Sequence, residues 1–194
     1  NMEIIDIRIL RGPNYWSNYR NKLIYMKLDL GSVADVPSNE IPGFPERLEK
    51  FMPSLISHRC SEENEGGFFY RVRRGTLLGH VIEHIALELQ SLAHMECGFG
   101  RTRSTGEKCC YHIVFDYEIE KAGVYAGKAA VRIVESLRHD LPYDLQADLD
   151  ELNKIASREG LGPSTLAIIN EARKRDIPYK RLDNRSLIMF GHGI

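Results

Sequence analysis

His80, Glu83 and His84 stand in the order His-x-x-Glu-His inside an unbroken, largely apolar run over residues 76–93. Such a run predicts a helix. At 100° per residue, Leu78, Val81, Ile82, Ile85, Leu89 and Leu92 gather on one side as a core face. The two histidines fall on the opposite side, one turn apart. Imidazoles so placed can reach one tetrahedral metal ion. Glu83, about 60° round the helix from His80, can then act as general base on a metal-activated water. Leu87 lies in the histidines' own sector, so that face is expected to be covered by other chain. The plainer alternative is a solvated helix face carrying two histidines and a glutamate without an ion.

A catalytic zinc needs a third protein ligand and an open fourth position. Glu88, one turn beyond His84, rotates towards the apolar side and is awkward for that task. Glu120, at the junction between a strand ending at Tyr117 and the next helix, is the better placed carboxylate and is expected as the third donor. A second group of residues, His58-Arg59-Cys60, precedes Gly66-Gly67-Phe68 and the arginines Arg71, Arg73 and Arg74. His58 and Cys60 with Cys109 or Cys110 match no common zinc spacing. The segment reads better as a loop whose glycines admit another backbone, flanked by guanidinium groups able to bind carboxylates. Residues 98–103, Gly-Phe-Gly-Arg-Thr-Arg, add Arg101 and Arg103 on a flexible stretch without the Gly-Lys-Ser/Thr of a phosphate loop. A solvated surface role is the alternative for all these arginines.

The elements that must position these groups follow from periodicity. Ile5, Ile7 and Ile9 alternate with polar residues, as do Ile24, Met26, Leu28 and Leu30, which predicts two half-buried strands. Between them Gly12-Pro13-Asn14-Tyr15-Trp16 is loop chemistry with the single tryptophan as a packing lid. A short helix opens at Pro45 and is disturbed by Pro53. A strand over 111–117 leads into an alanine-rich helix over 121–137, and a polar amphipathic helix spans 145–156. The fold class expected is α+β: a domain over 1–157 with a central amphipathic helix packed on a small sheet. Residues 158–163 read as a linker. Ser164 caps a further helix ending near Arg175, and strands at 179–182 and 187–190 complete the opening of a second, truncated α/β unit.

The 194 residues are 43% hydrophobic and 27% charged, which suits one folded domain with part of another. Lys and Arg number 26 against 27 Asp and Glu, a net charge of −1, so no global basic field draws the chain to nucleic acid or an anionic membrane. Four cysteines without a CxxC pair fit a reducing cytoplasm. No apolar run approaches the roughly 18 residues of a membrane span, and no basic-then-apolar leader precedes the first strand. Asn1 before Met2 reads as a residue left by tag removal, with the natural start expected at Met2.

Seven strings in order, RILRGPNYWS, PSNEIPGF, HRCS, GGFFYRV, GHVIEHIALELQ, GFGRTR and LGPST, give the chain a resemblance to the N-terminal region of the cyanophycin synthetases. The resemblance implies an ATP-dependent ligase that builds an aspartate backbone bearing an arginine on each β-carboxylate. In that family an N-terminal domain precedes an ATP-grasp domain similar to glutathione synthetase and a Mur ligase-like domain. The stretch 164–194 resembles the very start of the ATP-grasp unit, so the ATP and Mg2+ sites are expected outside this chain, which would then not polymerise alone. Some members carry a His-x-x-Glu-His zinc site thought to cut the polymer internally and generate primers. His80, Glu83 and His84 match that motif. Partners implied are the polymer, held by Arg71, Arg73, Arg74, Arg101 and Arg103, the remaining domains, and further copies in a homo-oligomer. The alternative role is a non-catalytic domain that anchors the polymer.

Overall fold

The computed structural model describes residues 1–60 and 64–160, and the backbone of two short strands further on. Strands β1 (Glu3–Leu10) and β2 (Leu23–Asp29) come first, then helices α1 (Phe44–Phe51), α2 (Gly67–Arg74) and α3 (Leu78–Leu92). Strands β3 (Gly100–Ser104) and β4 (Cys110–Asp116) follow, then α4 (Glu120–Arg138) and α5 (Leu145–Glu159). The four strands form one antiparallel sheet in the order β1-β2-β4-β3, so β1 and β3 are its edges. Two further strands, β5 (Tyr179–Arg181) and β6 (Ile188–Phe190), pair antiparallel with each other.

The register explains which side chains enter the core. Met26 stands opposite Ile113 and Ile24 opposite Phe115, and all four are fully buried. Side chains two residues apart share a face of a strand. In β1, Ile7 and Ile9 join that face opposite Met26 and Ile24. The alternation read through Ile5 fails at its first member. An irregularity between Ile4 and Asp6 shifts the register, so Ile4 packs against the core and Ile5 is turned outward and exposed.

Helices α3 and α4 pack on this face and on each other, α3 over β3 and β4, α4 over β1 and β2. Close approach is built in by glycine. A Cβ on Gly127 of α4 would meet Met26 Sδ at 2.8 Å, and one on Gly79 of α3 would meet Thr102 Cγ2 at 3.1 Å. Helix α3 is buried on nearly every side, only His80, Ser91 and Leu92 retaining partial or full exposure. As expected, the core face is apolar and Leu87 is covered as well.

Three assignments differ from the sequence reading. Residues 66–74 are not a glycine loop: Gly66 adopts φ +83° and starts α2, which buries Phe68, Phe69 and Val72. Residues 98–103 are not a flexible stretch, since from Gly100 they form the edge strand β3. The linker expected to begin at 158 gives up Arg158 and Glu159 to α5, and the helix expected from Ser164 lies outside the described residues. Helix α5 is fixed by Asp144, whose side chain accepts from Ala147 N at 3.1 Å, and by buried Asp148. Asp148 accepts from Tyr125 Oη at 2.6 Å, from Arg132 at 3.2 Å and from Tyr143 Oη. No helix among the described residues is long and apolar enough to cross a membrane.

Candidate metal centre

The histidine face of α3 is largely covered, His80 alone of the motif residues keeping partial exposure. The chain from the 3-10 turn Pro53–Ser57 passes over it on its way to α2, carrying His58 and Cys60. Cys60 adopts φ +57°, a left-handed conformation uncommon for a residue with a Cβ. Its Sγ lies 3.3 Å from His80 Nε2, and His80 Nε2 lies 3.0 Å from His84 Nε2. The donor atoms of Cys60, His80 and His84 all fall within 4.8 Å of one another. A tetrahedral zinc with ordinary bond lengths separates two imidazole nitrogens by about 3.3 Å and a nitrogen from a thiolate sulfur by about 3.5 Å. The Cys60–His80 and His80–His84 separations are each within a few tenths of an ångström of those values.

The outer nitrogens of the same rings are already held. Thr76 Oγ1 lies 3.0 Å from His80 Nδ1, and His58 Nδ1 lies 2.8 Å from His84 Nδ1. The far side of His58 is held in turn, Nε2 to Glu88 Oε1 at 2.8 Å. Partners on Nδ1 leave both Nε2 lone pairs for an ion, the usual outer arrangement of metal-binding histidines. Phe68 stacks on the His84 ring with centroids 4.3 Å apart and fixes its plane. Burial, then the Arg71 charge, lowers the His80 pKa to about 4, and burial with His80, His58 and Arg71 holds His84 well below the ordinary histidine value. Both rings are therefore neutral at pH 7, the form that ligates metal.

Glu83 faces the same space. Thr102 Oγ1 donates to its Oε1 at 2.8 Å, and its Oε2 lies 3.9 Å from His84 Nε2. Burial raises its pKa to about 7, against the Thr102 hydrogen bond and the charges of Arg101 and Arg103. All of these groups open onto a cleft of about 1150 Å³ whose walls also carry Arg20, Arg59, Arg71, Arg101 and Arg103.

Of the residues singled out from the sequence, His80, Glu83, His84, Arg71, Arg101 and Arg103 come together in this cleft. Arg73 and Arg74 do not line it: Arg73 pairs with Glu49, and the Arg74 guanidinium lies 5.3 Å over the Tyr70 ring. Glu120, expected as the third metal donor, is elsewhere. It is the first residue of α4, which packs on the far half of the sheet, and both of its oxygens accept from Arg11. Cys60 occupies the place assigned to it. Cys109 and Cys110 sit at the start of β4, away from the cleft lining. Cys97 lines the cleft, but its thiol donates to Leu87 O at 3.3 Å and burial pushes its pKa up to about 12.

Fold and site define a small α+β domain whose central helix offers a His-x-x-Glu-His metal pattern to an arginine-walled cleft. The family model described as the cyanophycin synthase-like N-terminal domain matches residues 25–139, and the chain belongs to that family. It is 51% identical over 196 residues to the cyanophycin synthetase of Trichormus variabilis, covering 100% of this chain and 22% of the relative. It is 50% identical over 195 residues to that of Geminocystis herdmanii, with 99% and 22% covered. The Synechocystis cyanophycin synthetase is 48% identical over 196 residues. The chain thus spans about a fifth of the length of these relatives, at their N-terminal end.

Proposed function

We propose that this domain hydrolyses amide bonds inside cyanophycin, with Cys60, His80 and His84 as zinc ligands and Glu83 as general base, and so supplies primer ends to the ligase of which it is the N-terminal part. The observation that carries the reading is the convergence of three soft or neutral donors with one buried carboxylate on a single cleft. The donor set of one sulfur and two imidazole nitrogens suits zinc. When bound, zinc supplies Lewis acidity, polarising an amide carbonyl and making water a nucleophile near neutral pH.

The protein's own groups do the rest. Thr76 and His58 hold the two ligand rings by their Nδ1 atoms, and Phe68 blocks rotation of His84. Thr102 engages Glu83 Oε1 and leaves Oε2 facing the ligands. That oxygen takes a proton from the attacking water as the O–C bond forms, and delivers it to the departing amine nitrogen as the C–N bond breaks. Arg71, Arg101 and Arg103 bind the carboxylates of the polymer.

For the whole protein the proposal is an ATP-dependent ligase joining aspartate and arginine in the cytoplasm, its ATP and Mg2+ sites in an ATP-grasp domain beyond this chain and its subunits assembled as a homo-oligomer. The second reading, a polymer-anchoring domain without catalysis, is favoured by the contacts of His58, His80 and His84 with one another, which suit a packing role for the three rings. Elemental mass spectrometry of the purified chain, with His80→Ala as control, separates the two when followed by incubation with soluble cyanophycin. Near-stoichiometric zinc that vanishes in the variant, with new polymer ends absent in Glu83→Gln, supports hydrolysis. No metal after zinc reconstitution leaves only the anchoring role.

A further inference from the structure

Strand β3 has one neighbour. Its inner side is paired to β4, and no other strand among the described residues pairs with its outer side. The ladder fixes which groups face outward. Asp116 N donates to Phe99 O at 2.9 Å and Thr105 N to Cys110 O at 3.2 Å, so the pairs bonded to β4 fall on odd positions, at Arg101 and Arg103. The backbone N–H and C=O of Gly100 and Thr102 therefore project from the free edge. Both residues also line the cleft of the proposed metal centre, with Glu83 of α3 against Gly100 and Thr102 on the face of the sheet.

The two outward carbonyls are not bare. Arg101 donates to Gly100 O at 2.7 Å and Arg103 to Thr102 O at 2.9 Å. Each guanidinium folds back over the carbonyl of the preceding residue, a weak use of a group that binds carboxylates more strongly. An exposed edge with free amides is a template for an added strand. Arginines at alternate positions along such an edge repeat with the two-residue period of an extended chain lying beside them. The cleft walls carry Arg20, Arg59 and Arg71 besides, while the cleft's own acids, Glu83 and Glu88, are buried and hydrogen-bonded. Charge complementarity thus selects an occupant with carboxylates.

We infer that the outer edge of β3 is the docking strand for an extended aspartate-backbone chain, whose amides pair with Gly100 and Thr102 while its branch carboxylates draw Arg101 and Arg103 off the carbonyls they cover. The identity of the chain rests on the hydrolase reading above. Docking on this edge lays one amide of the chain beside Glu83, because Gly100 and Thr102 are the residues in contact with that carboxylate.

The test uses a hexamer of aspartate with arginine on each β-carboxylate, offered to the Glu83→Gln chain and followed by calorimetry. Two further hexamers are N-methylated, one at alternate backbone amides, which leaves one edge of the extended chain free, and one at every backbone amide, which leaves neither. The fully methylated hexamer is expected to bind about tenfold more weakly or worse, and the alternately methylated one, docking by its free edge, within about twofold of the parent, as a lost pair of edge hydrogen bonds requires. Arg101→Ala with Arg103→Ala is expected to weaken the parent hexamer and flatten its salt dependence. A fully methylated hexamer that binds like the parent, or an alternately methylated one that loses as much as the fully methylated one, overturns the docking strand. Wild-type chain that cuts the hexamer with no such difference between the methylated forms keeps the hydrolase reading and removes the edge; that difference in binding without cutting does the reverse.

Discussion

Gly100 and Glu83 compete for one space: a methyl group on Gly100 would stand 2.5 Å from Glu83 Oε2 and 2.8 Å from its Cδ. The backbone of Gly100 is not left-handed, so alanine is excluded by this contact and not by φ. Gly100→Ala is expected to displace the carboxylate, abolish release of new polymer ends and leave zinc content unchanged. The fold should lose about 1–3 kcal/mol, as overpacking does. Elemental analysis beside an end-group assay checks it; loss of zinc in this variant would show that Glu83 is bound up with the ligands themselves.

On the proposed zinc reading, removing the ion should soften the domain. Zinc that binds the folded chain alone adds RT ln(1 + [Zn]/Kd) to stability, about 2.7 kcal/mol at a hundredfold excess over Kd. Chelation is therefore expected to lower Tm, and Cys60→Ala to lower zinc affinity and erase most of the chelator's effect. Glu88→Gln, which weakens the hold on His58 and through it His84, should reduce affinity by about 10–100-fold. Calorimetric melts with and without chelator read all three.

Phe68 is fully buried and stacked on His84, so one ring serves both core and site. Phe68→Ala is expected to destabilise the fold by about 3–5 kcal/mol, measured by urea unfolding. Zinc affinity should fall with it, because the His84 plane is no longer fixed.

Much of this centre was readable from the chain. Six apolar residues on one face of 78–92 mark the helix, and the histidine spacing marks its other face. Cys60 was not readable, since it meets His80 only after the chain doubles back over α3, in a left-handed conformation that no local pattern announces. Helix α2 was hidden because Gly66-Gly67 and three arginines outweigh Phe68, Phe69 and Val72, whose helical face matters only once α2 packs on α1 and on the turns Ser38–Glu40 and Pro53–Ser57, with Phe68 against His84. Strand β3 is short, polar and at an edge, so it lacks the alternation that betrays a half-buried strand. Glu120 was misplaced because proximity in sequence to β4 says nothing about which half of the sheet α4 covers.

Asp148 gives a pH dependence on the far side of the molecule. Tyr125 and Tyr143 both donate to it, and burial followed by that hydrogen bond raises each phenol to about 12. A raised folded pKa means the contribution is complete below the unfolded tyrosine value of about 10 and is lost as pH climbs through 12. Stability is expected to fall across that interval, and to fall less in Tyr125→Phe with Tyr143→Phe. Burial raises Tyr117 to about 12 as well, so tyrosinate absorbance should show at least three late-titrating groups in the parent and lose two of them in the double variant.

Helix α3 is at once the inner wall of the core and the floor of the cleft, with twelve of its fifteen residues buried. Drift in a gene under selection for folding alone would hold Val81, Ile82, Ile85 and Leu89 in place while releasing His80, the one motif residue that keeps partial access to water. A descendant that abandoned the chemistry would thus lose its first histidine long before it lost the helix.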